Sequence, residues 1–530
     1  MQSFLRTSLR RYTYMIQIAN HASLNFESIL EGAACVLLAC PGINDQGGGC
    51  QRLLQIGKTL LAVLGAKSVP GLCVERRDQH MTAIFFKELA QAVFQENVAP
   101  PYIHYEGRLP GLLPTSELLA EAVGLVGVAL ARLCGQSCQQ IDINARLCAL
   151  WADTSCQPLG WALPEPWNPI SAAFRGADGW IRLHANASHH RAAVLHALGC
   201  ADTVEAVTAA IAVQNVAVLE EKIIARKGAA ARMITWQDWQ SHPQGQAIGQ
   251  TGLVEWTKKA VTSSCRVRQL NLKSARPLAG LKVLDLTRVL AGPVATRTLA
   301  GLGAQVLRID PSAWDDAGVL QDTTLGKYCA GLDLKAPADQ VWFEDLLRQA
   351  DLLVHGYRPG ALEGLGYGPE ARERINPDLI EVSLSAYGIY GPWGQRRGFD
   401  SLVQFSAGIA DLCRDAEGKP GKLPVQALDH ATGYIMAACC LEALRLAQSG
   451  HVVTARTSLA RTAWLLCQAK LQTFDETPIS PRRRADFLPE LEVSGWGKLQ
   501  RLRPPLSMPF AEFRWDMPAG PLRIHPARWP

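Results

Sequence analysis

The sequence predicts an α/β fold with two or more domains, of which the larger is built on an open, Rossmann-like parallel sheet. Three observations lead to this fold class. The chain has 530 residues, more than one hydrophobic core usually organises. Strand-like apolar runs alternate with helix-forming stretches between residues 281 and 385, which is typical of a parallel sheet with crossover helices. A pair of apolar stretches also occurs twice, which indicates an internal duplication.

Composition excludes several classes of protein. The 53 basic and 48 acidic residues leave a net charge of +5, too small a balance for a broad nucleic-acid or membrane surface, although a local basic cleft for a small anion stays compatible. The 15 cysteines are scattered without metal-binding spacing, so we expect reduced thiols, no metal and a cytoplasmic protein. The longest apolar runs are too short or too charged to span a membrane.

The first 26 residues contain arginines and no acid before Glu27. This composition is similar to that of a transit peptide, which makes mitochondrial import the alternative to a cytoplasmic location. A start extended upstream of Met15 explains the composition equally well.

The internal repeat has an offset of 313 residues, the difference between Leu133 and Leu446. Val123–Leu133 followed by Ile141–Trp151 matches Met436–Leu446 followed by Thr454–Trp464. Each pair predicts two helices separated by a polar turn. The alternative is that two alanine- and leucine-rich helix pairs look alike without common origin.

Between the two copies, a strand-like stretch at Gly179–His184 precedes helical periodicity from about Ala192 to Ala230, which predicts a smaller α/β domain. After Ser480, a tail rich in proline and arginine predicts extended arms that wrap the large domain. The predicted segments are an unassigned N-terminal extension (1–26), a degenerate copy of the large domain (27–151), the small domain (152–262), a linker (263–276), the large domain (277–465) and a C-terminal arm (466–530).

The large domain opens with a βαβ unit. Parallel strands place a ligand crevice at their carboxyl ends, where the first turn and the following helix can meet a nucleotide phosphate. The absence of a G-x-G-x-x-G pattern argues against ordinary NAD binding. The predicted elements are strands at Lys282–Thr287, Gln305–Asp310, Asp351–His355 and Leu379–Ser385, a turn at 288–293 and a helix at Val294–Gly303.

The same region resembles a known family. VLDLTRVLAGPVATRTLAGLGAQVLRID, GLDLKAPA, ADLLVHGYRPGALEGLGYG, INPDLIEVSLSAYGIYGPW and GFDSLVQFSAGIADL are similar, in order and spacing, to the signatures of the family III CoA-transferases of the CaiB/BaiF type. This group includes formyl-CoA transferase, carnitine CoA-transferase and α-methylacyl-CoA racemase. The resemblance implies the family fold, coenzyme A and acyl-CoA as substrates, a carboxylate acceptor and no permanently bound cofactor.

Asp429, in the segment Ala427–Gly433, stands where the resemblance places the nucleophile at the start of a helix. The resemblance implies that its carboxylate attacks the acyl-CoA thioester, that CoA converts the mixed anhydride into an aspartyl-CoA thioester, and that an acceptor carboxylate collects the CoA. A helix N-terminus would keep this carboxylate ionised. The alternative is that Asp429 only caps its helix.

Further positions carry over from the resemblance as lining of the CoA or acyl pocket, with Lys335 facing a CoA phosphate. A surface lysine and ordinary core residues are the alternatives. These positions are Val289, Leu290, Leu332, Lys335, Tyr357 and Tyr387.

The sequence also departs from the family. Leu290 replaces a glutamine of formyl-CoA transferase, which argues against oxalate and formate as the acid pair. Phe399, in Gly398–Asp400, replaces the histidine of the racemases, and a phenyl ring transfers no proton. The small domain expected after Trp464 is missing there, so we expect residues 152–262 to supply it.

Three functions therefore stay open at this point. The first is CoA transfer between carboxylic acids, the second is an acyl-CoA racemase or isomerase with another base facing Asp429, and the third is a degenerate CoA-binding protein without turnover. In the alignment of the two copies, Ser116 corresponds to Asp429, and we expect Ser116 to be an N-cap. The βαβ signatures of the first copy are degraded between Phe26 and Tyr105. We expect one competent and one degenerate half, forming an intramolecular pseudo-dimer or a homodimer.

Overall fold

The computed structural model describes residues 83–260, 270–315, 318–469 and 477–530. The predictions for the N-terminal extension, for the degraded signatures from Phe26 to residue 82 and for the first half of the linker at 263–276 lie outside the described residues.

The described elements alternate between helices and short strands. The helices are α1 (Phe86–Phe94), α2 (Thr115–Cys134), α3 (Ala145–Asp153), α4 (Ser188–Leu198), α5 (Val204–Ala212), α6 (Val216–Ala225), α7 (Trp236–Ser241), α8 (Pro243–Gln250), α9 (Ala291–Gly301), α10 (Leu320–Thr323), α11 (Pro337–Gln349), α12 (Pro369–Ile375), α13 (Asp400–Ser406), α14 (Ile409–Leu412), α15 (Ala427–Gln448) and α16 (Leu459–Gln468). The strands are β1 (Tyr102–His104), β2 (Asp142–Asn144), β3 (Cys156–Pro158), β4 (Ala173–Arg175), β5 (Trp180–Leu183), β6 (Ala230–Arg232), β7 (Glu255–Ala260), β8 (Lys282–Leu286), β9 (Gln305–Asp310), β10 (Lys327–Gly331), β11 (Leu352–His355), β12 (Ile380–Ser385), β13 (His451–Ser458), β14 (Phe487–Ser494), β15 (Gly497–Leu502) and β16 (Leu506–Ser507).

A seven-stranded sheet in the described part has the order β10-β9-β8-β11-β12-β13-β7. All its pairings are parallel except that of the edge strand β7 with β13. The apolar sequences of β8 and β11 are buried almost throughout, as expected for parallel strands covered on both faces. The order of the six parallel strands is that of a doubly wound sheet, whose crevice lies at the switch between β8 and β11. The predicted α/β fold with a parallel sheet is confirmed.

A three-stranded sheet in the order β4-β5-β6 carries helices α4, α5 and α6. Ile181 and Leu183 of β5 are buried in its core, so the strand alternates as a one-sided sheet requires. The strand predicted at Gly179–His184 is present. The helical stretch expected from Ala192 to Ala230 is divided into three helices, the first of which ends at Gly199 with a φ of 66°, a conformation that glycine adopts freely.

The prediction of a second helix in each pair was wrong for the first residues of that helix. Residues 142–144 and 451–458 form β2 and β13, and helices α3 and α16 begin only after them. In β13, Val453 and Ala455 are buried while Val452 and Thr454 are less so, and the strand is hydrogen-bonded between β12 and β7. Pairing with neighbouring strands therefore outweighs the helical pattern of the local sequence.

Both predicted copies have the order helix, strand, helix, and their long helices α2 and α15 pack against each other. One hydrophobic core contains buried residues of both helices. Strand β7, which the sequence places in the small domain, joins the large sheet instead. The small domain of residues 152–262 is thus not separate from the large one, and common origin of the two copies stays a prediction.

The C-terminal segment is more ordered than the predicted extended arms. Strands β14 and β15 form a hairpin that pairs with β3, and β16 pairs with β2. The indole Nε1 of Trp515 donates to the Arg297 carbonyl at 2.9 Å, and the His525 Nδ1 accepts from the Cys329 backbone N–H at 3.0 Å. The segment contacts both predicted copies. No helix among the described residues is long and apolar enough to cross a membrane.

Helices α9 and α15 approach each other closely at Gly433. A Cβ atom added to Gly433 would lie 2.4 Å from the Ala291 carbonyl oxygen and 2.8 Å from the Val294 Cβ. Since Asp429 lies about one turn earlier on α15, this approach holds the start of α15 beside the first turn after β8.

We expect the Gly433→Ala substitution to lower the free energy of unfolding by about 1–3 kcal/mol, because the added methyl group overpacks the contact between the two helices. The matched control is Gly364→Ala, where an added Cβ meets no atom within 4 Å, and its effect should stay within about 0.5 kcal/mol. Urea denaturation of both variants checks this. Equal effects of the two substitutions would contradict the packing argument.

Candidate active site

A cavity of about 930 Å³ lies where β8 ends and α15 begins. Val289, Leu290 and Asp429 contribute from the large domain, whereas Arg182 contributes from β5 and His184 from the residue that follows this strand. Residues of the segment 152–262 therefore form one wall of the crevice that a doubly wound sheet places at the carboxyl ends of its strands.

The first turn after β8 is tightly constrained. Val289 has a φ of 63°, a left-handed conformation that is rare for a β-branched residue. A Cβ atom on Gly292 would lie 2.4 Å from the Thr287 Cβ, so only glycine fits there. Thr287 donates its backbone N–H to the buried Asp285 at 2.9 Å. Strain of this kind is found at sites where the surrounding structure holds a residue in a functional position.

Asp429 lies in the first turn of α15 and is buried, as is Asp400 at the start of α13. The Asp429 backbone N–H donates to the Asp400 Oδ2 at 3.0 Å. Gln404 donates its side-chain amide to the other oxygen of Asp400. The side chain of Asp400, and not that of Asp429, therefore accepts hydrogen bonds from the free N–H groups at the start of α15.

Burial raises the pKa of Asp429 well above its usual value, and the negative charge of Asp400 raises it further. Burial also raises the pKa of Asp400 to about 6, although the hydrogen bonds that Asp400 accepts from N–H groups oppose this shift. Two buried carboxylates so close together cannot both ionise readily. The expectation that the helix N-terminus keeps Asp429 ionised was wrong, because burial and Asp400 outweigh the helix dipole.

Two neutral imidazoles line the same cavity. Burial lowers the pKa of His430 to about 3, and it does the same for His184. The Nδ1 atoms of both rings are buried without a hydrogen-bond partner among the described residues. The His184 ring stacks on Phe399 with centroids 3.7 Å apart. A histidine of the small domain thus lies against the side chain that replaces the histidine of the racemases.

A group of arginines lies beside the cavity. Arg288 places its guanidinium over the rings of Trp314 and Tyr357, at 4.9 and 5.4 Å from their centroids, and Trp314 lines the cavity. Burial lowers the pKa of Arg397, and the charge of Arg358 lowers it further. Partly buried cations that repel one another form a favourable site for an anion such as a phosphate.

The predicted site residues are only partly brought together. Val289, Leu290 and Asp429 line the cavity, and Tyr357 lies next to it, with its hydroxyl accepting from Arg288 at 3.2 Å. Leu332 is buried in the core on the other side of the sheet. Lys335 is exposed and does not line the cavity.

Tyr387 does not line the cavity either. It is buried, and its hydroxyl hydrogen-bonds to the Ser406 Oγ at 3.0 Å, so it is part of the core in this structure. Ser116 was wrongly expected to cap its helix. It lies after the first residue of α2, and its Oγ accepts from the Leu109 backbone N–H at 2.8 Å.

The sequence analysis did not assign three residues of the cavity: Arg182, His184 and Asp400. Asp400 is the acid of the Gly398–Asp400 triplet, and this motif could have indicated it as a site residue although the histidine of the triplet is replaced. Arg182 alternates with the apolar residues of β5, which marks it as facing away from the small core. The position of His184 opposite Phe399 depends on tertiary packing, so no local signal could have found it.

Comparisons with known proteins identify the same region. The family model described as CoA-transferase family III matches residues 278–493. A probable fatty acyl-CoA transferase of Mycobacterium tuberculosis is 34% identical over 184 residues, which cover 32% of this chain and 47% of that protein. The succinyl-CoA:glutarate CoA-transferase of Homo sapiens is 34% identical over 178 residues, 31% of this chain and 41% of that protein.

A crystal structure of the Mycobacterium tuberculosis protein matches with a TM-score of 0.33 and 31% identity, covering 35% of this chain and 56% of that one. The chain spans less than half the length of the two curated relatives that it matches. The resemblance predicted from the sequence signatures is confirmed at this level: residues 278–493 match the family model of CoA-transferase family III, and similar proteins are named as CoA-transferases.

Proposed function

We propose that the protein is a CoA-transferase that moves CoA between carboxylic acids, with Asp429 as the covalent nucleophile. The observation that carries the proposal is the buried Asp429 carboxylate at the start of α15, in a cavity large enough for an acyl group. The match of residues 278–493 to a family of CoA-transferases supports the reaction class.

The proposed reaction has four steps. An Asp429 oxygen attacks the thioester carbonyl of the donor, the carbon–sulfur bond breaks and CoA leaves as the thiolate. The thiolate attacks the Asp429 carbonyl of the resulting mixed anhydride, which releases the donor acid and leaves an aspartyl-CoA thioester. The acceptor carboxylate displaces the thiolate to form a second anhydride. The thiolate then attacks the acceptor carbonyl, giving the new acyl-CoA and free Asp429.

We place the phosphates of CoA beside Arg288, Arg358 and Arg397. Burial lowers the pKa of Arg397, and the charge of Arg358 lowers it further. An anion that binds beside the two cations relieves their repulsion. Tyr357, predicted as a CoA-binding residue, lies at this end of the cavity against Arg288. The thioester would then reach inward to Asp429.

We also propose that the chain is an intramolecular pseudo-dimer of one competent and one degenerate half. Support comes from the packing of α2 on α15 and from the shared order of helix, strand and helix. The cavity has walls from both parts of the chain, as expected if the first half supplies the small domain that the second half lacks.

The Asp429→Asn substitution should abolish covalent chemistry, because an amide does not form the anhydride. After incubation with succinyl-CoA or acetyl-CoA and quenching with hydroxylamine, mass spectrometry should detect a hydroxamate at residue 429 in the wild type and none in the variant. The matched control is Asp315→Asn, which removes an exposed carboxylate of the same cavity and should retain the adduct. CoA binding without any adduct in the wild type would favour the degenerate CoA-binding protein.

The rate of adduct formation should increase with pH. The pKa of Asp429 is raised, so the carboxylate is protonated and inactive below that pKa and becomes a nucleophile as the pH rises through it. Asp400→Asn removes the charge that raises this pKa, and the acid limb should move down by about one pH unit. Single-turnover rates between about pH 5 and pH 9 check this.

Asp315→Asn is again the control and should leave the pH profile unchanged. Thermal unfolding of Asp400→Asn is measured alongside, since Asp400 accepts the Asp429 N–H. If the acid limb of the pH–rate profile does not move in Asp400→Asn, or if it moves to higher pH, the charge of Asp400 does not raise the pKa of Asp429.

One observation favours a second function, the inversion of an acyl-CoA at the carbon next to the thioester. Racemization needs a base and an acid on opposite faces of this carbon. His184 is a buried neutral imidazole stacked on Phe399, and Asp429 has a raised pKa. The lowered pKa of His184 leaves its imidazole unprotonated, and the raised pKa of Asp429 favours the protonated form of its carboxyl group.

Proton exchange in deuterium oxide separates the two functions. A CoA-transferase should transfer CoA without incorporating deuterium at the α-carbon of 2-methylacyl-CoA, whereas a racemase should incorporate it without an acceptor acid. We expect transfer without exchange. Exchange that is lost in His184→Phe, a substitution that keeps an aromatic ring on Phe399, would establish the racemase instead.

A further inference from the structure

We propose that Arg182, with His184 beside it, forms a subsite for a second anionic group on the acid, so that the protein prefers dicarboxylates to monocarboxylates. This inference rests on the proposed function, since it names the class of acid that exchanges CoA at Asp429. It concerns the wall of the cavity that comes from the small domain.

The position of Arg182 follows from its strand. In β5, Ile181 and Leu183 point into the small core and are fully buried, whereas Arg182 is on the opposite face and lines the cavity. Successive side chains of a strand point to opposite faces. The core contacts of its two neighbours therefore fix the direction of Arg182 toward the cavity.

The aromatic ring of Trp167 supports the guanidinium. The Arg182 Cζ lies 5.3 Å from the centroid of the indole, which is cation–π geometry. The ring holds one face of the guanidinium and leaves its edge, which carries the N–H donors, free for a ligand. Because an arginine fork matches a carboxylate with two parallel hydrogen bonds, this edge is selective for planar anions.

The charge of Arg182 is not neutralised within the described part of the chain. Its Nε is buried and has no hydrogen-bond partner among the described residues, and it forms no ion pair with any of their carboxylates. Burial lowers its pKa, and only the charge of Asp400 opposes this shift. Arg182 is half-buried, and a cation with a buried, unused donor is costly. An anionic ligand removes that cost.

His184 adds a second unused polar atom. The side chain is 5% exposed and lines the cavity, and its Nδ1 has no partner among the described residues. Its ring is fixed by stacking on Phe399 and by edge contact with Trp167, at 6.0 Å between centroids. A neutral imidazole held in this way can donate one hydrogen bond to a carboxylate without adding charge.

Charges of both signs line the cavity. Asp400 and Asp429 lie in the same cavity as Arg182, and the positive charge of Arg182 opposes the larger effect of burial, which raises the pKa of Asp400. A monocarboxylate places an apolar chain against Arg182 and leaves the guanidinium unpaired. A dicarboxylate places its second carboxylate there, and selectivity of this kind is strong because the wrong ligand leaves a buried charge without a partner.

The test compares glutarate with pentanoate, which has the same chain length and one carboxylate fewer. Isothermal titration calorimetry on the full-length protein should show that glutarate binds at least about tenfold more tightly than pentanoate. Arg182→Met, which keeps an unbranched side chain against Trp167, should remove this difference. Arg182→Lys should restore part of it. Lys422→Met is the matched control, because Lys422 is an exposed cation that lines the same cavity, and it should keep the preference.

Equal affinity for the two acids in the wild type, or a preference for glutarate that survives Arg182→Met, would overturn the subsite. A loss of CoA affinity in Arg182→Met with the acid preference unchanged would also overturn it, by assigning Arg182 to a CoA phosphate. Binding is measured without turnover, so a failure of the proposed function shows separately, as a glutarate preference in a protein that forms no adduct at Asp429.

Discussion

The contact on which the site depends is the hydrogen bond from the Asp429 backbone N–H to the Asp400 carboxylate. It joins the start of α13 to the start of α15, and it places the Asp400 carboxylate at the positive end of the α15 dipole, which stabilises a negative charge. Asp429 then receives little help from its own helix and lies beside a second negative charge. The same contact therefore fixes the position of Asp429 and holds the Asp400 charge beside it. Burial raises the pKa of Asp429, and this charge raises it further.

The raised pKa of Asp429 works against its role as a nucleophile, which must be ionised. Cations and donors that line the cavity orient the acid and the thioester before reaction. The low polarity that raises the pKa also makes the ionised oxygen a stronger nucleophile, since water does not solvate it. Reactivity and its pH dependence have one physical cause, which is the burial of two acids together.

The rest of the fold holds this pair in place. Gly433 lets α15 lie against α9, and the constrained turn at Val289 forms the cavity floor. Helix α2 packs on the other side of α15, so the segment before residue 260 supports the helix that carries Asp429 and also supplies Arg182 and His184. A chain that folded only from residue 278 onward would leave α15 uncovered and the cavity open on one side.

Much of the parallel sheet could be predicted from the sequence, because β8, β9, β11 and β12 are short segments rich in apolar residues that lie between turn residues. Strand β13 could not, because its residues also fit a helical period and only pairing with β12 and β7 decides between the two structures. For the site, Asp429 and the turn at Val289 and Leu290 followed from the family resemblance. The resemblance also predicted Leu332, Lys335 and Tyr387 at the CoA or acyl pocket, but none of the three lines the cavity. Tertiary packing alone brings His184 onto Phe399.

The central claim is that an oxygen of Asp429 becomes covalently bonded to the substrate acid. A single turnover of an acyl-CoA with an acceptor acid labelled in both carboxylate oxygens with oxygen-18 tests it directly. The account predicts that the peptide containing Asp429 becomes heavier by one labelled oxygen, because the acceptor oxygen that attacks the aspartyl-CoA thioester stays on the aspartate when the new acyl-CoA forms. Labelled acyl-CoA produced with no label in that peptide would contradict the account, since CoA would then have moved without an anhydride at Asp429.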